Sequence, residues 1–344
     1  MANDTCPPAP GRDFDLVLVL SGGNALGAFE AGVYEALHEH DLIPDWVVGA
    51  SIGAINAALI AGSSLEQRIA TLRKFWRPGM LASMGMTSAT MPTVFETSRR
   101  TAAVAWTAAA GRSGIFGPLL SSLMPWANDK PAIFETDQLG ATLARVVDFD
   151  LLNAGPCRFT ATAVDLETGA DVVFDSRHGR IVPDHVRASA ALPIAFPPVT
   201  IGGRLMVDGG LSANLPLDPV LAHPSARPTL CIAVDLLPLC GPVPATLGEA
   251  ASRMQDLIFA AQSRRTVARW QAEHADRADI RLSLVRLAYT DQSQEVAGKA
   301  LDFSPQTIEE RWAAGRLAGM SVVARIKAKS LSIGHTGLNV IAHV

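Results

Sequence analysis

The sequence predicts an α/β fold with a central, mainly parallel β-sheet, because two strand–turn–helix units follow each other near its start. Residues 14–20 (FDLVLVL) have the length and the Val- and Leu-rich composition of a buried parallel strand. A glycine-rich turn follows, and apolar residues then recur at helical spacing over residues 28–40. Residues 45–50 (DWVVGA) predict a second strand and residues 51–61 a second helix. This alternation is typical of a parallel sheet.

Strand and helix patterns continue along the chain. The predicted helices span residues 65–76 and 136–147, and the predicted strands span residues 158–166, 171–174, 205–207 and 229–235. After Pro244 the composition becomes more polar. This last region predicts a helix over 249–276, a strand over 279–287, and a helix that Ser304 caps and that runs to about Lys329.

Composition excludes several classes of protein. The chain has 344 residues, 49% of them hydrophobic and 18% charged, which is enough for a substantial core in one or two domains. A net charge of −4 argues against a nucleic-acid partner and against a membrane contact that is mainly electrostatic. The four cysteines form no C-x-x-C pair and indicate neither a disulfide framework nor a metal site.

Residues 1–13 predict a loose tail without the apolar core of a signal peptide. No stretch of 18 strongly apolar residues predicts a membrane-spanning helix. We therefore expect a cytoplasmic protein whose membrane contact, if it has one, is peripheral. Nothing in the sequence indicates an oligomeric state.

Ser51 is the candidate nucleophile of a serine hydrolase. It is the central residue of GASIG (residues 49–53), between a predicted strand and a predicted helix. Gly49 and Gly53 allow the sharp turn that exposes a serine oxygen at the edge of a sheet. The start of the following helix favours a developing negative charge. The pattern is common, and a tight helix entry is the alternative interpretation, but the strand before it and the helix after it favour a nucleophile.

The glycine-rich turn SGGNALG (residues 21–27) has three interpretations. A dinucleotide-binding loop is disfavoured, because Asn24 occupies the position of the middle glycine and no acidic residue ends the second strand. An oxyanion hole fits better, since parallel neighbouring strands would place the Gly22 and Gly23 amides beside Ser51. A plain strand-to-helix turn is the third interpretation.

Asp208 is the candidate general base. It follows the predicted strand 205–207 and precedes Gly209 and Gly210, so its carboxylate can enter a cleft with little steric hindrance. A simple β-turn aspartate is the alternative. None of the eight histidines lies in a glycine-rich or strand-end context, and Ser51 comes too early in the chain for the nucleophile of an α/β-hydrolase.

Four sequence blocks together resemble the patatin-like phospholipase family. In chain order they are SGGNALGAFEAGV (21–33), GASIGAINAALIAG (49–62), ASAALPIAFPPV (188–199) and VDGGLSANLPL (207–217). The resemblance implies a three-layer α/β/α sandwich and a Ser–Asp dyad that works without histidine. Ser51 matches the nucleophile, Asp208 matches the proton acceptor, and Gly22, Gly23 and Asn24 match the oxyanion loop. The remaining motif glycines are Gly27, Gly49, Gly53, Gly209 and Gly210.

The expected function is therefore hydrolysis of phospholipid, lysophospholipid or acylglycerol esters through an acyl-enzyme, without a cofactor or a metal. Two departures from the family pattern matter. Asn24 replaces the third loop glycine, which alters the donor set, and Leu26 replaces a basic residue, which removes a charge where a phosphate would sit. Three alternatives therefore stay open: an acyltransferase with the same acyl-enzyme, a hydrolase of storage polyesters, and a catalytically silent lipid-binding protein.

The resemblance also divides the chain. Residues 14–245 form the expected catalytic domain, and residues 246–344 form a mainly helical extension packed on it. RWAAGRLAG (residues 311–319) is similar to the extension of one bacterial subgroup. Residues 78–130 are a candidate lid or lipid-facing insertion, with ordinary helix packing as the alternative. The adaptable apolar residues there are Met80, Met84, Met86, Met91 and Trp106.

Overall fold

The computed structural model describes residues 12–76, 93–118, 131–275 and 277–342. Its strands form one nine-stranded sheet and one short ribbon. They are β1 (Asp15–Leu20), β2 (Trp46–Gly49), β3 (Gly117–Pro118), β4 (Phe134–Glu135), β5 (Arg158–Asp165), β6 (Asp171–Asp175), β7 (Val199–Ile201), β8 (Arg204–Asp208), β9 (Thr229–Asp235), β10 (Arg281–Ala288) and β11 (Gly337–Ala342).

The large sheet is mainly parallel, as predicted. Strands β11, β10, β9, β1, β2 and β5 lie side by side in that order, each parallel to its neighbour. Strand β8 pairs antiparallel with the same edge of β5 as β2 does, further along that strand, and β7 pairs antiparallel with β8, while β6 pairs antiparallel with the opposite edge of β5. The ribbon consists of β3 and β4.

Helices connect and cover the strands. They are α1 (Ala28–His38), α2 (Ile52–Ala61), α3 (Arg68–Trp76), α4 (Thr93–Ala110), α5 (Asp137–Val146), α6 (Phe149–Ala154), α7 (Pro183–Ser189), α8 (Gly210–Ala213), α9 (Asp218–Leu221), α10 (Leu247–Glu273) and α11 (Pro305–Lys327). None of the helices in the described ranges is both long enough and apolar enough to cross a bilayer.

The two faces of the sheet carry separate cores. Side chains alternate along β1, so that Leu16, Leu18 and Leu20 pack in a core with residues of α1, α2 and α11. Val17 and Val19 belong to a second core, which includes residues of α9 and α10. Helices therefore cover both faces, which is the three-layer arrangement that the sequence predicted.

The C-terminal region combines helices with strands. Besides α10 and α11 it contributes β10 and β11 to the central sheet, and the sequence pattern had not indicated β11. Helix α11 lies against α1 at very short range: a Cβ on Gly32 would lie 2.0 Å from the Trp312 carbonyl oxygen, and one on Gly315 would lie 1.9 Å from the Phe29 oxygen. These glycines thus bring α11 onto the helix that follows the glycine-rich turn.

Candidate active site

Ser51 lies in a tight turn between β2 and α2, and glycines make that turn possible. A Cβ on Gly49 would lie 2.3 Å from the carbonyl carbon and oxygen of Gly53, and one on Gly53 would lie 2.3 Å from the Leu20 oxygen. The serine itself has φ 56° and ψ −126°, a backbone conformation that costs a non-glycine residue roughly 1–3 kcal/mol. Strain of this kind persists only where the surrounding structure enforces it, as the two close approaches do here.

Strand pairing places Asp208 beside Ser51. Gly49 at the end of β2 pairs with Ala161 of β5. Asp208 at the end of β8 pairs with Ala163, two residues further along β5. Both β2 and β8 lie opposite β6 across β5, so they share one edge of that strand and approach it from opposite directions. Their carboxyl ends therefore meet.

The Asp208 carboxylate is buried and hydrogen-bonded. It is 2% exposed and accepts a hydrogen bond from the Gly210 amide at 2.7 Å. Burial raises its pKa to about 6, although the neighbouring Ser51 hydroxyl and the Gly210 amide lower it in part. Asp208 is therefore a stronger base than an ordinary aspartate and is still ionised at neutral pH.

The glycine-rich turn packs directly against this pair. A Cβ on Gly22 would lie 3.0 Å from the Ser51 Cβ and 2.4 Å from the Asn214 Oδ1. The Gly22 amide donates to the Asn214 carbonyl oxygen at 3.0 Å, and the Asn214 side-chain amide donates to the Gly22 oxygen at 3.0 Å. The Gly22 amide is thus engaged, whereas those of Gly23 and Asn24 bond to no acceptor in the described part of the chain.

Buried hydrogen bonds hold the glycine-rich turn in place. The side-chain amide of Asn56 donates to the Gly27 carbonyl and to the Glu30 carboxyl, both at 2.9 Å, and accepts from the Trp76 indole at 3.0 Å. The Ser21 hydroxyl accepts from the Leu236 amide at 3.1 Å. Complete burial raises the pKa of Glu30 well above its ordinary value, although the hydrogen bond from Asn56 lowers it in part.

Two residues at the site had no role in the sequence-based prediction. Ser189, the last residue of α7, accepts hydrogen bonds from the Ser51 amide through its carbonyl oxygen at 3.1 Å and its hydroxyl at 3.2 Å. Asn214 ties the motif around Asp208 to the glycine-rich turn. Both lie inside the four sequence blocks, but the blocks alone did not reveal these contacts.

A cavity of about 350 Å³ opens onto Ser51 and Asp208. Its lining is mostly apolar, and among the described residues that line it the only charged one is Asp208. Leu26 is fully buried and does not line the cavity. None of the histidines in the described ranges lines it either. The apolar lining includes Ile55, Ile115, Phe134, Leu139, Phe196 and Leu237.

The candidate lid lies partly outside the described residues, as do Met80, Met84, Met86 and Met91. Within the described part, Trp106 is 71% exposed on α4. Ile115, just before β3, lines the cavity. One residue of the insertion thus forms part of the cavity lining, and a lid remains a prediction.

Comparison with proteins of known sequence identifies two matching family models. The model described as patatin-like phospholipase matches residues 18–221, and one described as patatin phospholipase matches residues 246–330. An uncharacterized NTE family protein of Mycobacterium tuberculosis is 30% identical over 222 residues, which is 64% of this chain and 30% of that protein. Triacylglycerol lipase ptl3 of Schizosaccharomyces pombe is 35% identical over 83 residues, 24% of this chain and 17% of the lipase. The matched parts are therefore less than a third of each relative.

Two solved structures are also similar. VipD from Legionella pneumophila aligns with a TM-score of 0.38 at 12% identity, over 87% of this chain and 67% of that one. The type III effector ExoU of Pseudomonas aeruginosa aligns with a TM-score of 0.41 at 14% identity, over 91% of this chain and 53% of ExoU.

The patatin-like phospholipase model covers more than half of the sequence and spans both Ser51 and Asp208. This chain therefore belongs to the patatin-like phospholipase family.

Proposed function

We propose that this protein hydrolyses carboxylic esters of fatty acids through an acyl-enzyme on Ser51, with Asp208 as the base. The observation that carries the proposal is the placement of the Ser51 hydroxyl beside the buried Asp208 carboxylate, at a cavity with an apolar lining. A polar dyad beside an apolar cavity suits a substrate with one reactive ester and a long hydrocarbon chain.

The reaction proceeds in two halves. The Asp208 carboxylate takes the Ser51 proton while the serine oxygen attacks the ester carbonyl, and collapse of the tetrahedral intermediate releases the alcohol, which leaves with that proton. Water then attacks the acyl-enzyme, Asp208 accepts its proton, and the proton returns to Ser51 as the fatty acid leaves. A pKa of about 6 lets Asp208 both accept and return a proton near neutral pH.

The negative charge on the intermediate requires donors, and the Gly23 and Asn24 amides are the proposed ones. They belong to the turn that packs against Ser51, and they have no acceptor among the described residues. One such donor contributes about 3–4 kcal/mol to lowering the barrier. The neighbouring Gly22 contributes space, since any side chain there would collide with Asn214.

The proposed substrates are neutral acyl esters, with acylglycerols first. No cation among the described lining residues is available to bind a phosphate, and Leu26 supplies none because it is buried in the core. Two proteins with matching segments carry the name triacylglycerol lipase, which agrees with this preference. Hydrolysis of phosphatidylcholine at a higher kcat/KM than that of the corresponding diacylglycerol would contradict it.

The dyad is tested with a fluorophosphonate probe and a p-nitrophenyl ester. Ser51→Ala is expected to abolish labelling and to lower the rate by roughly 10⁴-fold or more, because no other group supplies the attacking oxygen. The matched control is Ser212→Ala, which removes an exposed serine hydroxyl four residues after Asp208 and is expected to keep both activities. Labelling or full turnover in Ser51→Ala would overturn the assignment.

A further inference from the structure

Helix α10 carries apolar side chains on its solvent-facing side. Leu247 is 87% exposed, Met254 60%, Leu257 43% and Ile258 50%. The spacing of seven, three and one residues places all four on one side of a helix. We call these four residues the α10 stripe. A row of this kind exceeds the isolated surface leucines that soluble proteins ordinarily show.

A neighbouring side of the same helix faces the candidate active site. Gln255 and Phe259 line the cavity, and the buried Asp256 forms an ion pair with Lys299 at 2.8 Å. These contacts fix the rotation of the helix about its axis. The α10 stripe is therefore held outward by the same packing that makes α10 a wall of the cavity.

Two segments bound by α10 expose further apolar side chains. Gln262 donates to the Leu211 carbonyl at 3.1 Å, and the Arg253 guanidinium donates to the Leu239 carbonyl. Leu211 is 43% exposed and Leu239 37%. Leu211 follows Gly210, whose amide binds Asp208. Helix α10 is thus bonded to the segment that follows Asp208, and that segment exposes a leucine.

The edge of the cavity is apolar on another side as well. Ile133 and Ile194 line the cavity, yet they are 49% and 75% exposed. Ile194 has φ 74°, and its carbonyl accepts from the Ile133 amide at 2.9 Å. A β-branched residue in this conformation is strained, so the segment holds an isoleucine at the opening at an energetic cost.

Charge on α10 is arranged to leave the stripe apolar. Glu249 bonds back to the Thr246 and Ala245 amides, Arg253 is bound to loop carbonyls, and Asp256 is buried. Three exposed arginines of the helix, Arg264, Arg265 and Arg269, come after the stripe in the chain, and Arg269 pairs with Asp218. The three charged side chains between Leu247 and Ile258 are thus all engaged elsewhere, and the stripe is left apolar.

We propose that the α10 stripe docks the protein on a lipid surface and orients the cavity opening towards it. This inference rests on the proposed function, because the long-chain acyl esters proposed as substrates reside in such a surface. A lipid surface fits better than a second copy of this chain, because the exposed Ile133 and Ile194 make the cavity opening itself apolar, and a second copy seated over that opening would obstruct entry of substrate.

The test measures co-flotation with phosphatidylcholine vesicles. The full-length protein is expected to float with the vesicles, and Met254→Glu/Ile258→Glu to lose at least roughly tenfold in apparent affinity, because two charges replace buried apolar contacts. Leu317→Glu is the matched control, since Leu317 is a 70% exposed leucine on α11. Both variants are expected to keep the wild-type rate on a water-soluble ester, because none of the three residues lines the cavity.

Three outcomes would overturn the docking proposal: no vesicle binding by the wild-type protein, equal binding by the stripe and control variants, or a wild-type dimer that the stripe variant converts to a monomer. Met254→Gln/Ile258→Gln repeats the test without added charge if the glutamate variant melts at a lower temperature. Failure of the proposed function looks different, because the wild-type protein would then bind vesicles but would not cleave the soluble ester.

Discussion

The floor and the wall of one cavity are built in different ways. The floor consists of Ser51, Asp208 and residues 22–24, and backbone contacts position it. The wall consists of the apolar side chains that line the rest of the cavity. At the floor, an added Cβ on Gly22, Gly49 or Gly53 would lie 2.3–2.4 Å from its nearest atom.

Because the floor and the wall are built differently, they are expected to tolerate substitutions to different degrees. Backbone atoms in direct contact cannot move aside, so the geometry of the dyad is fixed by the fold. Side chains from distant segments can repack around a different volume at moderate cost. We therefore expect substitutions at the floor to abolish the esterase activity. Substitutions at the wall are expected to change the preference among substrates gradually.

The largest effect is expected at Gly53. A Cβ there would lie 2.3 Å from the Leu20 oxygen and 2.8 Å from the Ser21 oxygen, so Gly53→Ala must push α2 away from β1. We expect the free energy of unfolding to fall by about 3 kcal/mol or more and esterase activity to be lost. Urea unfolding and the p-nitrophenyl ester assay measure the two effects.

Gly179→Ala is the control for that substitution, because a Cβ on this exposed glycine meets nothing within 4 Å. Its stability is expected to stay within about 0.5 kcal/mol of wild type. If Gly53→Ala folded as stably as Gly179→Ala and kept its activity, the floor would be as adaptable as the wall, and the comparison would fail.

The ionisation of Asp208 is expected to make kcat/KM depend on pH. As the proposed base, Asp208 acts only when ionised, and its pKa is raised to about 6, so kcat/KM is expected to rise through pH 6 and level off above it. Asp208→Asn is expected to lower the rate to near that of Ser51→Ala at every pH. A wild-type profile that was already flat at pH 5 would contradict the role of Asp208.

The free energy of unfolding is expected to fall as pH rises, whereas kcat/KM rises. The folded-state pKa of Asp208 lies above its ordinary value of 3.8, so folding is favoured by protonation, and stability declines as pH rises from about 4 to 6. A shift from 3.8 to about 6 corresponds to roughly 3 kcal/mol at most. Asp208→Asn removes this cost, and its melting temperature relative to wild type should be higher at pH 7 than at pH 4.

The residues assigned to the floor lie in local sequence patterns and those of the wall do not, for a physical reason. Gly49, Gly53 and Gly209 are needed because two backbones meet, and only glycine permits such contacts. A requirement of this kind leaves a short contiguous pattern beside the reactive residue. The parallel strands before the turns are similarly local, which is why β1, β2 and β9 could be predicted from composition alone.

Long-range contacts left no such pattern. Asn56 supports the turn from a position 29 residues after Gly27, and Phe259 reaches the cavity from the C-terminal region. The number of apolar residues in the chain far exceeds the number that line the cavity, and periodicity does not distinguish the two sets. The short strand β11 was missed for a related reason, since its pairing with β10 decides its conformation.

The smallest effect is expected at the wall, where Leu139→Ala enlarges the cavity. Leu139 and Leu143 both lie buried on α5, but only Leu139 lines the cavity. Each alanine substitution is expected to cost about 2–5 kcal/mol of stability. Only Leu139→Ala is expected to shift chain-length preference towards longer esters, by a few-fold in kcat/KM per added CH₂, since a buried CH₂ contributes about 0.8 kcal/mol.

The measurement is a series of p-nitrophenyl esters of increasing length, compared between the two variants at matched fractions of folded protein. The comparison cancels the loss of stability, which both variants share, and leaves the volume at the cavity as the difference. A parallel shift in Leu139→Ala and Leu143→Ala would mean that loosening of α5, and not the shape of the wall, sets the preference. An unchanged profile in both would mean that the acyl chain binds elsewhere, while the rates at the floor would still report on Ser51 and Asp208.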